Sequence, residues 1–271
     1  MGKRIACICG KPGRVQHTRM KFLRDNYMPY LDVYADDVPT LNKYEVVYFS
    51  HYSLAKKVKF DGKRKYLASV TSHKYDKKEL GKFDRISVNN RLLLEELKEF
   101  SPVLTENGVD TKFWTPSDRA NSRGGIGWVG NVDRYAKRYD IVMCLEDRLP
   151  LNWVPLQTSK HDTRQRLEPQ NMREYYRSIW VYVVTSDSEG TPNPALEAMS
   201  CGVPVLTTPV GNMPDIHSAV KYRNTEQLCM MLGKYHCGHH PNREDIRREM
   251  VENWDWSIKY RAWDDFFKEW L

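Results

Sequence analysis

Two glutamates, Glu189 and Glu197, flank seven residues within the stretch 183–208, which reads as a strand, a polar loop, a helix ended by Gly202, and a second strand. In α/β proteins, a loop that leads from a strand to a helix N-terminus commonly binds anionic ligands. Carboxylates would repel a phosphate, but they accept hydrogen bonds strongly from sugar hydroxyls. The pattern therefore favours a ligand with both phosphate and hydroxyl groups, such as a nucleotide sugar.

The helix of this stretch has clear boundary signals. Pro192 or Pro194 suits its first turn, and Gly202 ends it. The backbone amides from Thr191 to Ala195 are therefore predicted to be open to an anion. The alternative is that both glutamates are ordinary solvated carboxylates, since acidic residues are common near helix N-termini.

Three other patterns carry less weight. Residues 125–130 spell Gly-x-Gly-x-x-Gly, but these glycines precede or lie within the apolar run 126–129, whereas a dinucleotide site needs them between strand and helix. No Asp-x-Asp pair occurs, which argues against a divalent metal that holds the donor. The one group of potential metal ligands has no common zinc spacing and is expected to be incidental: Cys229, His236, Cys237, His239 and His240.

The composition indicates a packed globular protein whose charge is concentrated in its first half. The 271 residues are 41% hydrophobic with a net charge of +7. Residues 1–118 contain 22 Lys and Arg against 15 Asp and Glu, so the excess lies there. This favours an acidic partner, although a solvated surface is the simpler alternative. The sequence shows no signal peptide, no apolar run of about 20 residues and no Cys-x-x-Cys motif. We therefore expect a cytoplasmic protein with reduced cysteines.

Strands and helices alternate along the chain, which predicts two doubly wound α/β domains. The polar linker 115–125 would join a domain over residues 1–118 to one over residues 119–271. The chain ends in a helix rich in tryptophan and phenylalanine. The predicted strands are 4–9, 45–50, 65–71, 85–88, 103–105, 126–129, 141–144, 180–185 and 203–207, and the clearest helices are 17–30 and 90–100.

Residues 189–205 resemble the donor-binding signature of glycosyltransferase family 4, the retaining transferases of GT-B fold. Three further segments fit the family in order: 107–113, 127–131 followed by Lys137, and 208–216. The resemblance is strong over about residues 103–215. It implies two Rossmann-like domains that face a central cleft, a C-terminal helix that crosses back to the first domain, and catalysis without metal or cofactor.

The resemblance also implies roles for residues of the second domain. Glu197 would accept hydrogen bonds from the ribose, Glu189 would contact the donor sugar, and Lys137 would neutralise the departing diphosphate. Other donor-binding positions would be Gly130, Asn131, Gly190, Thr191, Pro192 and Asn193. The family usually has arginine where this chain has Asn131, so Arg134 or Arg138 would have to supply that charge.

The acceptor would be held by loops at the carboxyl ends of the first domain's strands. His73 resembles the family's active-site histidine and is the first choice, and His51 is the second; either could instead be a loop histidine bonded to backbone. Gly10 and Gly13 would let backbone approach the substrates, or simply form a turn. Basic residues on this side are Lys11, Arg14, Arg19, Lys21, Arg24, Lys74, Lys77 and Lys78.

These features predict a retaining glycosyltransferase that moves a sugar from a nucleoside diphosphate to a hydroxyl of an acidic acceptor. One hypothesis for the acceptor is DNA with a hydroxylated base, given the basic first domain and a compact length typical of phage-encoded transferases, which would place the protein in the host cytoplasm. Another is a glycolipid or surface polysaccharide, reached by transient contact with an anionic membrane. A non-enzymatic alternative, favoured by Asn131, is a nucleic-acid-binding module of GT-B fold that has lost turnover.

Overall fold

The computed structural model describes residues 3–117, 124–159 and 167–271. The chain divides into two compact units, Met1–Glu106 with Lys259–Leu271, and Asn107–Ile258. The predicted domain boundary between residues 118 and 119 lies outside the described residues, as does much of the polar linker.

The first unit is built on six parallel strands in the order β2-β1-β3-β4-β5-β6. The strands are β1 (Ile5–Cys9), β2 (Leu31–Ala35), β3 (Val46–Phe49), β4 (Lys65–Val70), β5 (Arg85–Val88) and β6 (Val103–Leu104), and the helices are α1 (Val15–Asn26), α2 (Lys77–Leu80) and α3 (Arg91–Glu96). Since β2 and β3 lie on opposite sides of β1, the chain changes direction there. The carboxyl ends of β1 and β3 therefore form this sheet's switch point, the usual ligand position in such sheets.

The second unit has five parallel strands in the order β11-β10-β9-β7-β8. The strands are β7 (Ile126–Asn131), β8 (Trp153–Thr158), β9 (Val181–Val184), β10 (Val205–Thr207) and β11 (Val220–Lys221), and the helices are α4 (Tyr139–Arg148), α5 (Pro169–Ser178), α6 (Asn193–Ser200), α7 (Thr225–His236) and α8 (Arg243–Glu249). Here the switch point lies at the carboxyl ends of β7 and β9.

The last helix, α9 (Trp256–Lys268), continues into the first unit, to which residues 259–271 belong. Trp263 and Phe267 are fully buried, and the Phe267 ring lies 4.9 Å from that of Tyr48 in an edge-to-face contact. The Arg19 guanidinium lies 4.7 Å from the centre of the Trp263 ring, and Arg19 as a whole residue is only 7% exposed. Arg19, predicted to be one of the acceptor-side basic residues, is therefore part of the core.

The predicted strand 141–144 is wrong, because these residues lie in α4. Its buried residues Val142 and Leu145 are three positions apart, a helical spacing that the short apolar run concealed. The prediction also missed β2, β8 and β11. Strand β8 lies at the edge of its sheet and contains Pro155, a residue that sheets tolerate mainly at edges.

Among the described residues, no helix combines the length and apolar character that crossing a bilayer requires.

Candidate active site

The switch point of the second unit brings Lys137 and Glu189 together. Lys137 follows β7 and Glu189 follows β9, and the Lys137 Nζ lies 2.5 Å from the Glu189 Oε1. The same carboxylate oxygen accepts a hydrogen bond of 2.9 Å from the Ser186 hydroxyl. Both side chains are largely buried, with 14% of Lys137 and 9% of Glu189 exposed. The site thus contains an ion pair that is partly shielded from water.

The glycines around β7 serve close packing. A Cβ on Gly130 would lie 2.6 Å from the Trp128 ring, and one on Gly127 would lie 2.4 Å from the Ile179 side chain. Both residues belong to β7; Gly127 lies within the predicted strand 126–129, and Gly130 lies one residue beyond its predicted end. Close packing within and around β7 therefore explains glycine at these two positions of the Gly-x-Gly-x-x-Gly pattern.

Beyond β7, the chain forms a 3₁₀ turn, Tyr135–Lys137. The turn contains Lys137 and is flanked by Arg134 and Arg138. The Asn131 side chain accepts a hydrogen bond of 2.8 Å from the Asp133 amide, so it shapes the entry to this turn. Arg138 pairs with Asp140 at 2.8 Å and with Asp187 at 3.2 Å. Arg134 is exposed, and its side chain has no hydrogen bond or ion pair with another residue of the described ranges, although its backbone bonds to Asn131 and Lys137. Of the two arginines that could replace the missing charge, Arg134 is the one available to a ligand.

Helix α6 begins at Asn193, after the loop that carries Glu189. The Asn193 amide donates to the Thr191 carbonyl, and the Ala195 amide donates to the Pro192 carbonyl, both at 2.9 Å. Pro192 and Pro194 have no N–H to offer. The prediction that the amides from Thr191 to Ala195 are all open to an anion is therefore wrong.

Glu197 lies on α6, where its carboxyl accepts a hydrogen bond of 2.8 Å from the buried Tyr176 hydroxyl. Burial raises the pKa of Glu197 to about 7, and the bond from Tyr176 opposes that rise. A carboxyl near its midpoint at neutral pH can change its charge in response to a ligand. Hydrogen bonds from hydroxyl groups would favour its ionised form.

A third loop, after β10, supports the loop of Glu189. The Thr208 hydroxyl donates a hydrogen bond of 2.5 Å to the Ser186 carbonyl. Gly211 has a φ of +56°, and a Cβ there would lie 2.5 Å from the Gly190 carbonyl oxygen. The two loops approach this closely only because residue 211 has no side chain.

In the first unit, the loop after β4 holds His73. Its Nδ1 lies 2.8 Å from the Glu96 Oε1, and Tyr75 donates a hydrogen bond of 3.2 Å to the other oxygen of that carboxylate. The carboxylate therefore makes Nδ1 the protonated nitrogen and leaves Nε2 as the acceptor. A histidine oriented in this way can accept a proton or a hydrogen bond through Nε2.

His51 has a clear structural role at the carboxyl end of β3. Its Nδ1 accepts a hydrogen bond from the Ser53 amide at 3.3 Å and lies 2.7 Å from the Ser53 hydroxyl, so it caps the 3₁₀ turn Tyr52–Lys57. Burial lowers the pKa of His51, which favours the neutral ring.

The loops at the carboxyl ends of β1 and β4 present basic groups. The Gln16 side chain, at the start of α1, donates a 3.5 Å hydrogen bond to the hydroxyl of Thr71, which follows β4. Gly10 and Gly13 lie in the first loop, and the positive φ of Gly13, +69°, explains a glycine there. Lys77 pairs with Glu99 at 2.6 Å. Within the described residues, the exposed cations without such a partner in these loops are Lys11, Arg14, Lys74 and Lys78.

A cavity of about 920 Å³ lies at the other edge of the second sheet. Its lining includes Gly124, Asn152, Trp180 and Gly202, which precede β7, β8, β9 and β10. Since ligands of parallel sheets bind at the carboxyl ends of the strands, this cavity is not the candidate active site. No group of three or more potential ligand side chains among the described residues could hold a metal ion.

The family comparison locates a transferase segment in the second unit. Residues 155–229 match the family model described as "Glycosyl transferases group 1", and this segment includes Glu189 and Glu197. The sequence matches no curated protein.

Solved structures share the fold over nearly the whole chain at low sequence identity. Sucrose-phosphate synthase from Thermosynechococcus elongatus aligns with a TM-score of 0.75 and 11% identity, covering 98% of this chain and 99% of that one. HepE from Anabaena, solved with UDP and glucose, aligns with a TM-score of 0.71 and 10% identity, covering 98% and 100%. The lipopolysaccharide outer core galactosyltransferase WaaB aligns with a TM-score of 0.68 and 14% identity, covering 98% of this chain and 100% of that one. The chain therefore has the fold of these glycosyltransferases, the GT-B fold, and residues 155–229 match a glycosyltransferase family model.

Several contributors to the site were missed by sequence reasoning. Tyr176, Thr185 and Gly211 contact or support the predicted residues from other parts of the chain. Gly211 lies within a segment that resembles the family, and Thr185 lies only in the broader range 103–215, but in both cases only the spatial neighbours reveal what the residue does. Tyr176 lies in α5, which had no sequence prediction at all.

Proposed function

We propose that this protein transfers a sugar from a nucleoside diphosphate sugar to a hydroxyl of an acidic acceptor, with retention at the transferred carbon and without a metal. The observation that carries the proposal is the Lys137–Glu189 pair at the switch point of the second unit, with Glu197 on α6, the helix that follows the loop of Glu189. A cation for a diphosphate and carboxylates for hydroxyl groups are the groups that a nucleotide sugar requires.

In this proposal the donor takes over the contacts of the ion pair. Glu189 accepts hydrogen bonds from the sugar, and Lys137 and Arg134 face the diphosphate, whose charge grows as the bond to the sugar breaks. Glu197 accepts hydrogen bonds from the ribose hydroxyls. The acceptor hydroxyl attacks the face from which the diphosphate leaves, and His73, oriented by Glu96, positions the sugar or the acceptor.

The acidic acceptor is inferred from the cations at the carboxyl edge of the first sheet. DNA with a hydroxylated base and an anionic glycolipid or polysaccharide are both compatible with these side chains. Activity on DNA would fall steeply with salt, because binding to DNA releases counterions. Activity on a lipid acceptor would require vesicles that contain it.

A thermal-shift screen of UDP, GDP, ADP and their sugars tests the donor site. Transfer assays on modified DNA and on lipid acceptors then test the acceptor. We expect one nucleotide to raise the melting temperature, and Glu197→Ala to weaken its binding. Glu174→Gln, a change at an exposed carboxylate of α5, is the matched control. No nucleotide binding and no sugar release from any donor, alongside tight DNA binding, would instead support the non-catalytic alternative.

A further inference from the structure

Thr185 connects the two loops of the candidate active site. It is fully buried at the carboxyl end of β9, directly before the loop that carries Glu189. Its hydroxyl donates a hydrogen bond of 2.7 Å to the Lys137 carbonyl and accepts one of 3.0 Å from the Trp128 indole N–H. Because an indole nitrogen can only donate, the Thr185 proton has to point toward Lys137. The Trp128 ring is itself buried and packs 4.9 Å from the ring of Tyr139.

The turn that Thr185 holds has a strained backbone. Arg138, directly after Lys137, has a φ of +49°, a left-handed conformation that is unfavourable for a residue with a side chain. The Asp187 amide donates a hydrogen bond of 2.9 Å to the Ala136 carbonyl, and the Asp187 carboxylate pairs with Arg138. Residues 185 and 187 therefore hold residues 136–138 in a conformation that the turn alone would not favour.

We propose that Thr185 is a positioning residue for Lys137. By fixing the backbone of Lys137, it keeps the ammonium group against Glu189 and, on the function proposed above, at the place where the diphosphate departs. Small displacements of a catalytic group are costly, since a shift of about 1 Å can reduce turnover by roughly 100-fold. A hydroxyl that is fully buried and bonded on both sides is suited to hold such a position.

The test compares Thr185→Val, which keeps the shape but removes the hydroxyl, with Thr185→Ser, which keeps the hydroxyl. The readout is the acetylation rate of Lys137 by acetic anhydride, followed by mass spectrometry in the full chain without ligand. Exposed Lys234 is the internal standard. Glu189→Gln, which removes the ionic partner, defines the rate of a released lysine. We expect Thr185→Val to approach that rate and Thr185→Ser to stay near wild type. Equal rates for wild type, Thr185→Val and Thr185→Ser would overturn the proposal.

If Thr185→Val does not fold, Trp128→Phe provides the second variant, because it keeps a ring but no longer directs the hydroxyl. With a donor found by the nucleotide screen, we expect Thr185→Val to lower kcat by roughly 10- to 100-fold while KM changes little. A wild-type kcat in Thr185→Val would overturn the positioning role. A wild-type protein that releases no sugar would refute the proposed function alone, since the acetylation rates still decide whether Thr185 holds Lys137.

Discussion

Glu197 shows how its surroundings set the charge of one residue. Its pKa of about 7 is far above the usual value for a glutamate, because the carboxyl is buried beside Tyr176. Between about pH 4.5 and 7 the folded protein keeps a proton that the unfolded chain has released. The contribution of Glu197 to the free energy of unfolding therefore falls as the pH rises through this range.

We expect Glu197→Gln to remove this fall, because an amide does not titrate. The difference in unfolding free energy between variant and wild type should shift by about 3 kcal/mol between pH 4.5 and 8, in favour of the variant at the higher pH. Urea unfolding at several pH values measures this shift. A difference that does not change with pH would mean that Glu197 titrates normally in the folded protein.

The Lys137–Glu189 pair leads to a second prediction. Both side chains are largely buried, so Lys137→Met or Glu189→Gln leaves the charge of the other residue without its ionic partner. Each substitution should lower the unfolding free energy by about 3 kcal/mol. The double variant should lose less than the sum of the two. A double-mutant cycle in urea measures the coupling, and additive losses would show that the pair contributes no coupling energy.

At the scale of elements, three loops form the candidate donor site, and each follows a different strand. The loop after β10 supports the loop after β9 through Gly211, and the turn after β7 is tied to Thr185 and Asp187. This arrangement depends on backbone contacts. Substitutions that introduce a side chain should therefore affect both stability and turnover.

We expect Gly211→Ala to lower the unfolding free energy by about 2–3 kcal/mol, since it adds a clash with the Gly190 carbonyl to the strain of a positive φ. It should also reduce turnover by moving Glu189. Gly238→Ala is the control, because Gly238 has a φ of +84° and open space around its Cα. The Gly238→Ala variant should lower the unfolding free energy by only about 1 kcal/mol and keep full activity. Equal effects of the two changes would show that the Gly211–Gly190 contact is unimportant.

At the scale of the whole molecule, the uneven charge is the main clue to the acceptor. The excess positive charge lies in residues 1–118, and exposed cations lie at the carboxyl edge of the first unit's sheet. Basic residues also occur before β4, near the amino edge. Comparing the two groups separates a specific acceptor surface from general positive charge.

We expect Lys74/Lys77/Lys78→Ala to raise the KM for an acidic acceptor and to weaken the dependence of activity on salt. The matched control, Lys56/Lys59/Lys63→Ala, removes the same charge from exposed positions between β3 and β4. Transfer assays from low to high salt measure both effects. If the two triple variants lose activity equally, the loop after β4 has no specific role in acceptor binding.

The sequence by itself was sufficient for the alternating α/β pattern, most strands, and the loop and helix that carry Glu189 and Glu197. These follow from local signals, namely apolar runs, prolines and glycines, which act within a few residues of each other. The same signals misled at 141–144, where four apolar residues fit a strand or a helix equally well. They also suggested open amides at α6, whereas neighbouring carbonyls already accept from them.

The tertiary structure decided which of the predicted residues meet and in what state. It placed Lys137 against Glu189, assigned Arg138 to Asp140 and Asp187 so that Arg134 stays available, and buried Arg19 under Trp263. It also raised the pKa of Glu197 through burial. None of this could be predicted from local patterns, because distances, desolvation and competition for partners depend on residues that are far apart in the chain and adjacent only after folding.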